Sequence, residues 1–474
     1  MTDTTRGAEA PAAAKAVNKL YFAAWRCHFY AGLYVIPFLI LLAVTGIVIV
    51  WFSAIAPEYG ERLRIEPAGT ALPVQGQADA ALAAHPGGTV TQYIAPWGPA
   101  NPALVRVEPA DGAARMLAVN PYTGAILRDL RHGATWEEWA DHLHGELMQT
   151  GNAKPWGDFL IEVAASLALL LVATGLYMAW PRDGRGLRSM LLPDLSAGGR
   201  AFWKSLHGAL GTWMSVVLVF FLISGLSWAG IWGGRFVQAW STFPAAKWDS
   251  VPLSDATHAS MNHTAREEVP WALEQTPMPE SGSAAGVAGV PEGTPVTLDS
   301  VAALARGMGF DGRFQLAFPK GETGVWTISR DSMSNDSPDP TSDRTVHVDR
   351  YSGRVLADVG FADYSAYGKA MAVGIPLHMG LMGTWNAVLN IGLCLSLIAL
   401  SVSAVVLWWK RRPSGSVRLA APPRPDEVPF ARGAVLVALA LSMAFPVLGL
   451  TLLAVLALDL LLVARIPALK RALS

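Results

Sequence analysis

Apolar residues run almost without interruption through four stretches of the chain, about 28–52, 156–180, 204–232 and 385–409. Each reaches the roughly 20 residues that an α-helix needs to cross the hydrocarbon layer of a bilayer. A fifth stretch, about 433–464, is broken by Pro446. Proline removes an N–H and crowds the preceding turn, so this stretch predicts one kinked helix or a pair of short ones. Between the apolar stretches lie two long segments, about 53–155 and 233–377, in which apolar and polar positions alternate and Gly and Pro recur, as in strands joined by turns. The pattern predicts a membrane all-α helical bundle, with four core transmembrane helices plus a C-terminal hydrophobic hairpin or kinked helix, that carries two folded domains with β-type stretches outside the membrane.

The division of the chain that follows is a tail (1–27), a first membrane helix (28–52), an outer domain (53–155), a second helix (156–180), a loop (181–203), a third helix (204–232), a second outer domain (233–377), a fourth helix (378–409), a loop (410–432), the C-terminal hydrophobic segment (433–466) and a tail (467–474). The first apolar stretch ends in "VIVWFSAIAP", where Ala54 and Ala56 imitate a signal-peptidase site. Its apolar core is longer than a signal peptide's, which favours an uncleaved anchor. Segment 277–296, "PMPESGSAAGVAGVPEGTPV", has the composition of a flexible linker.

Composition agrees with the membrane reading. The 474 residues are 52% hydrophobic and 15% charged, too apolar for an ordinary soluble protein. Lys and Arg concentrate in "PRDGRGLR" (181–188), in "KRRPSGSVR" (410–418) and around Lys15, Lys19 and Arg26. Positive charge favours the cytoplasm, so the N-terminus is expected inside and both long polar segments outside, in a multi-pass membrane protein. A net charge of −1 offers a nucleic acid no electrostatic footing. The cysteines, Cys27 and Cys394, lie in or beside apolar runs, so disulfides do not organise the fold, and no C-x-x-C-H is present for covalent haem attachment.

The two halves of the chain match landmark by landmark. His28 precedes Thr45 and Gly46 at the spacing at which His207 precedes Ser224 and Gly225. "VNPYTGAIL" (119–127) matches "VDRYSGRVL" (348–356), each a strand, a Tyr-x-Gly turn and a strand. "LHGELM" (143–148) matches "LHMGLM" (377–382), and each precedes an apolar run that ends at Trp180 or Trp409 before basic residues. Because each half starts and ends inside, the duplication is parallel, with a pseudo-twofold axis along the membrane normal. His28 and His207 then share a depth near the cytoplasmic face, and His144 and His378 share one near the outer face.

A b-type haem iron takes two axial ligands from opposite sides of a flat macrocycle, and a twofold pair of neutral imidazoles supplies them. Gly32 and Gly211 follow His28 and His207 by one helical turn, which clears room beside each ring. Met148 and Met382 stand at the same spacing after His144 and His378, soft residues suited to packing on a large ring. Small residues at Thr45-Gly46, Thr174-Gly175, Ser224-Gly225 and Ser403-Ala404 would let the four helices close. Against this stands the plain reading that a single helix-end histidine caps carbonyls or sits in the polar interface; it is the paired repetition that favours ligation. His142 has Pro376 as its counterpart and is expected on another helix face, as the substitute if His144 is not the ligand. His258 and His263 lack repeat partners, which favours a structural or substrate-side role. His85, His132 and His347 read as surface or loop residues, and Trp51, Trp180, Trp228, Trp232, Trp408 and Trp409 as an interfacial belt.

With these pieces in view, the chain resembles the PepSY-associated transmembrane helix family of bacterial inner-membrane proteins, which includes ferric-siderophore reductases. The resemblance is carried by "RCHFYAGLY", "KSLHGALGTW", the two strand-turn pieces, "LHGELM" and "LHMGLM", and it covers nearly the whole chain. It implies PepSY-like α+β domains in the periplasm, haem b bound by the membrane histidines, expected as two haems, and outward electron transfer to a ferric siderophore or other ferric chelate. The linker at 277–296 and the loop "DSMSNDSPDPTSD" (331–343) depart from the family pattern, which bears on the substrate surface.

The functional expectation is therefore a transmembrane oxidoreductase of the ferric-chelate reductase type, with no catalytic acid, base or nucleophile. No Ser/His/Asp arrangement, Gly-rich phosphate loop or H-E-x-x-H is present, and no flavin or nicotinamide site is visible, so a cytoplasmic flavoprotein or membrane quinol must supply electrons. Hard oxygen ligands that grip ferric iron hold ferrous iron weakly, so reduction releases the metal. One rival is a membrane-anchored binding or regulatory protein without redox activity. Another is an iron or siderophore transporter, for which Glu162 and Asp459 are the ionisable residues nearest mid-membrane.

Overall fold

The computed structural model describes residues 12–182, 186–248, 250–262, 268–412, 419–423, 431–463 and 465–467, with backbone alone at 12–18 and 463. His263 lies outside the described residues, as do most of both termini. In chain order the helices and strands are α1 (Ala12–Val50), α2 (Val74–Ala84), β1 (Thr89–Ile94), β2 (Ala103–Glu108), β3 (Arg115–Val119), β4 (Ile126–Arg131), α3 (Trp136–Glu146), α4 (Lys154–Ala179), the one-turn α5 (Arg188–Leu191), and α6 (Gly199–Leu226). They continue with the one-turn α7 (Gln238–Ser241), β5 (Leu253–Thr257), β6 (Pro277–Pro279), α8 (Leu298–Gly307), β7 (Gln315–Ala317), β8 (Trp326–Arg330), β9 (Arg344–Val348), β10 (Val355–Gly360), α9 (Ala366–Met379), α10 (Thr384–Arg411), α11 (Arg432–Ala444) and α12 (Pro446–Leu458). These elements form two compact units, one drawn from Met1–Val44, Thr150–Gly233 and Leu393–Ser474, the other from Thr45–Gln149 and Gly234–Gly392.

Four helices are long and apolar enough to cross a membrane: Lys19–Ile55, Gly151–Ala179, Gly199–Leu226 and Thr384–Arg411. The protein is a membrane protein. The helix limits correct the apolar runs in three places. Helix α1 begins well before His28, so this histidine sits inside a helix and not at its start. The third run is cut after Leu226, and the chain re-forms as a short π-helical segment at Gly230–Val237. Acidic side chains of α4 hold that break: Asp158 accepts from Gly230 N at 2.9 Å, and Glu162 from Ile231 N at 3.2 Å and Trp232 N at 3.0 Å. The fourth membrane helix starts at Thr384, which leaves His378 on the separate helix α9.

The C-terminal segment is a pair of short helices. Helices α11 and α12 have 13 residues each, about 20 Å of rise, which falls short of a roughly 30 Å hydrocarbon layer. They meet at Phe445, and Pro446 begins the second helix, where its missing N–H costs nothing. Trp232 anchors the elbow, donating from Nε1 to Ala444 O at 2.7 Å and stacking on Phe445 at 5.3 Å.

The second unit is built on an eight-stranded antiparallel sheet in the order β10-β9-β8-β7-β1-β2-β3-β4. The two expected outer domains are thus halves of one sheet, joined where β1 pairs with β7 through Gln92↔Ala317, Tyr93↔Leu316 and Ile94↔Gln315. Each half consists of one helix followed by four strands, α2 with β1–β4 and α8 with β7–β10. The matched turns are built alike. Asn120 Oδ1 accepts from Tyr122 N and Thr123 N, and Asp349 Oδ1 accepts from Tyr351 N and Ser352 N. Gly124 (φ 72°) and Gly353 (φ 67°) then take the left-handed backbone that each turn requires. Segment 277–296 is not a free linker: β6 pairs with β5, and Val287 bridges to Val355 beside the last strand.

Period-two alternation sends Val105, Val107, Ile328, Val346 and Val348 to the face covered by α2 and α8. The opposite face has a row of residues paired directly across strands, Arg106, Gln92, Ala317, Thr327 and His347. His347, expected at the surface, is therefore fully buried. Its Nε2 lies 2.8 Å from Nε2 of His258, which is equally buried. His258 Nδ1 donates to Thr276 O at 2.7 Å, His347 Nδ1 is 3.0 Å from Thr327 Oγ1, and Trp248 packs edgewise on both rings.

Burial pushes the pKa of His258 down to about 4, and burial together with the neighbouring ring holds His347 well below the usual imidazole range. The folded state therefore resists protons that the unfolded chain accepts below its ordinary value near 6.5. The contribution of His258 is intact at pH 7 and declines as the pH falls from 6.5 toward 4, by up to about 1.4 kcal/mol per pH unit, and that of His347 declines in the same direction. Thermal unfolding in detergent is expected to give a lower Tm at pH 5 than at pH 7, with a smaller drop in His347→Phe. An equal drop in both proteins would contradict the assignment.

Candidate functional site

His28 on α1 and His207 on α6 come together in the helical unit, their ring centroids 6.4 Å apart and their planes at 89°. A metal about 2.0–2.1 Å from one nitrogen of each ring, on opposite sides, would place imidazole centroids roughly 6.3 Å apart. The separation leaves room for one metal ion between the two rings, which would hold it. Nδ1 of His28 lies 3.0 Å from Thr174 Oγ1, and Nδ1 of His207 lies 2.8 Å from Ser403 Oγ. A Cβ at Gly175 would approach Cε1 of His28 to 3.2 Å, so this glycine makes room for the ring. A side chain at Gly32 would enter open space, and one at Gly211 would reach Leu400 Cδ1 at 3.6 Å. Thr174, Gly175 and Ser403, noted in the sequence only as small packing residues, are direct neighbours of the two imidazoles.

In the sheet-bearing unit, His144 rides on α3, which is held at both ends. At its start Thr135 and Glu138 form a capping box, and Glu138 also accepts from Tyr59 OH at 2.8 Å. Glu58 Oε2 takes the Trp136 N–H at 2.7 Å. Near the helix end, Thr45 Oγ1 lies 2.8 Å from His144 Nδ1. His132, expected at the surface, is instead 7% exposed at its side chain, between Glu138 at 3.6 Å and Glu268 at 3.8 Å. His142 Nδ1 faces Glu146 at 3.4 Å, and His85 bonds Asp129 at 2.9 Å nearer the surface.

His378 lies at the end of α9, close enough to His144 for the two to interact electrostatically. The last carbonyls of a helix have no partner within it. Here Asn390 Nδ2 donates to Leu377 O at 2.8 Å and His378 O at 2.7 Å, and Asn386 Nδ2 donates to Leu377 O at 2.9 Å. Both asparagines are buried near the start of α10, and neither was singled out by sequence pattern. The helical spacing expected for the methionines does not apply. Helix α3 stops at Glu146, Leu147 and Met148 have positive φ, and Met148 is 46% exposed. Met382 falls after the left-handed Gly380, with its N–H held by Asn386 Oδ1 at 3.1 Å.

A family model described as PepSY-associated TM region matches residues 25–411. The chain belongs to that family. No curated protein matches the sequence. All four histidines lie within the span matched to the PepSY-associated TM region, whereas α11 and α12 lie beyond it. Asn390→Leu is expected to remove the Asn390 bonds to the Leu377 and His378 carbonyls and to cost about 1–3 kcal/mol. The measurement is a lower Tm in detergent; an unchanged Tm would mean that α9 is fixed by other contacts.

Proposed function

We propose that this member of the PepSY-associated TM region family is a haem-containing inner-membrane reductase. In this reading it passes electrons from a cytoplasmic flavoprotein or a quinol to a periplasmic acceptor, a ferric siderophore, and releases ferrous iron. The observation that carries the reading is the pairing of His28 with His207 at 6.4 Å between ring centroids. Among the described residues, no group of three or more His, Cys, Asp or Glu side chains is placed to hold a bare metal ion. A pair of imidazoles would suit a group that brings the remaining metal ligands with it. When bound, haem b would supply a one-electron carrier.

The chain's own residues do the rest of the work. His28 and His207 hold one group and His144 and His378 a second, while Gly175, Gly32 and Gly211 leave space for rings. The overall change is one electron lost by the donor for each Fe(III) that becomes Fe(II), and the softer, less charged ion leaves its hard oxygen ligands. The repeated landmarks and the matched turns support a parallel duplication, which would place each pair at one depth, with the N-terminus inside.

The transporter reading loses its main residue, because both oxygens of Glu162 are engaged by backbone N–H groups. Visible spectra of the purified protein, oxidised and dithionite-reduced, test the proposal. Haem bands are expected, with His207→Ala and His378→Ala each losing about half of the haem. Colourless protein from haem-replete cells would overturn the reading, and loss of all haem from either variant would overturn two independent sites.

A further inference from the structure

The hydroxyls beside the histidines are themselves committed. Thr174 Oγ1 donates to Leu170 O at 2.7 Å, one turn back on its own helix, and Ser403 Oγ donates to Leu400 O at 2.6 Å. A hydroxyl has one proton to give and two lone pairs with which to accept. With that proton spent on a carbonyl, Thr174 can only accept from Nδ1 of His28, and Ser403 can only accept from Nδ1 of His207. Each ring must then carry its proton on Nδ1, which leaves Nε2 with a free lone pair. The same residue classes meet in the other unit, where Thr45 Oγ1 lies 2.8 Å from Nδ1 of His144.

We infer that Thr174 and Ser403 are positioning residues, which set the tautomer and ring orientation of His28 and His207 so that Nε2 is presented as a metal ligand. The inference rests on the haem reading above for the identity of the metal group, but the tautomer it assigns does not. Metal-binding histidines commonly donate their second N–H to an outer-shell acceptor, often a carboxylate or a carbonyl. A hydroxyl is a neutral acceptor. It fixes the ring without placing an anion in apolar surroundings, where a charge costs several kcal/mol. The helix carbonyl behind each hydroxyl adds to its accepting strength by polarising the O–H bond.

Two measurements on the full-length protein test this. In metal-free protein labelled with 15N-histidine, NMR in detergent is expected to find His28 and His207 protonated at Nδ1 and bare at Nε2. Thr174→Val, which keeps the shape but removes the acceptor, should change the His28 signals and spare those of His207; Ser403→Ala should do the reverse. In haem titrations, Thr174→Val is expected to lower affinity about 10- to 100-fold and to raise the reduction potential, while Thr174→Ser restores both. Finding Nε2–H on His28 or His207 in the wild type would overturn the inference, as would a Thr174→Val protein with unchanged affinity and potential. Wild-type protein that has the Nδ1–H tautomer but takes up no haem would uphold the hydroxyl assignment and sink the haem reading alone.

Discussion

Where water is excluded, every N–H and every carbonyl must be answered from within the protein, and an unanswered one costs roughly 1–3 kcal/mol. This constraint shapes the molecule more than any single hydrophobic contact. Thr174, Ser403 and Thr45 answer imidazoles, Asn386 and Asn390 answer the last carbonyls of α9, and Asp158 and Glu162 answer the first N–H groups after the break that follows α6. Each of these side chains would be a liability in an apolar helix if its partner were missing. Together they fix the places where the helices stop, turn and approach one another, and so where the histidines stand.

The apolar runs made the membrane helices legible, because length and composition suffice to identify a span. The meeting of His28 and His207 was legible through repetition: His207 alone means little, whereas His207 matched to His28 with the same following landmarks predicts a pair, and the two rings do meet. The breaks were not legible. Composition stays apolar through Leu226–Trp232 and through Met379–Met382, and what ends the helices there is a distant carboxylate and a left-handed glycine. The methionines were misplaced for the same reason, since a periodic argument fails one residue beyond a helix end. His347 was misread as a surface or loop residue, when strand alternation in "TVHV" sends valine to one buried face and histidine to another.

Segment 277–296 shows how composition alone misleads about mobility. Glycine, serine and proline suggested a tether, yet Val287 pairs with Val355, and Arg354 reaches back to the carbonyl of Ala285 at 2.9 Å. A Gly-rich chain can lie flat against a sheet because it lacks side chains that would prevent the approach. A Cβ at Gly289 would come within 2.3 Å of the Gly353 carbonyl oxygen. The unpaired pairing partner in sequence space, β1 with β7, was also invisible, since residues more than two hundred positions apart leave no local signature.

The shared sheet has a consequence for how its halves can exist. Its outer strands are protected in different ways: β4 carries Arg128, Asp129 and Arg131, and β10 is flanked by the bridge at Val287. Charges and covering segments of this kind keep an edge from recruiting other chains. The inner strands β1, "TVTQYI", and β7, "QLA", have no such guard. If the two halves were parted, each would offer a bare, uncharged edge whose most available partner is another copy of itself. What looks like a repeat of two modules is thus a single object that has given up the option of being divided.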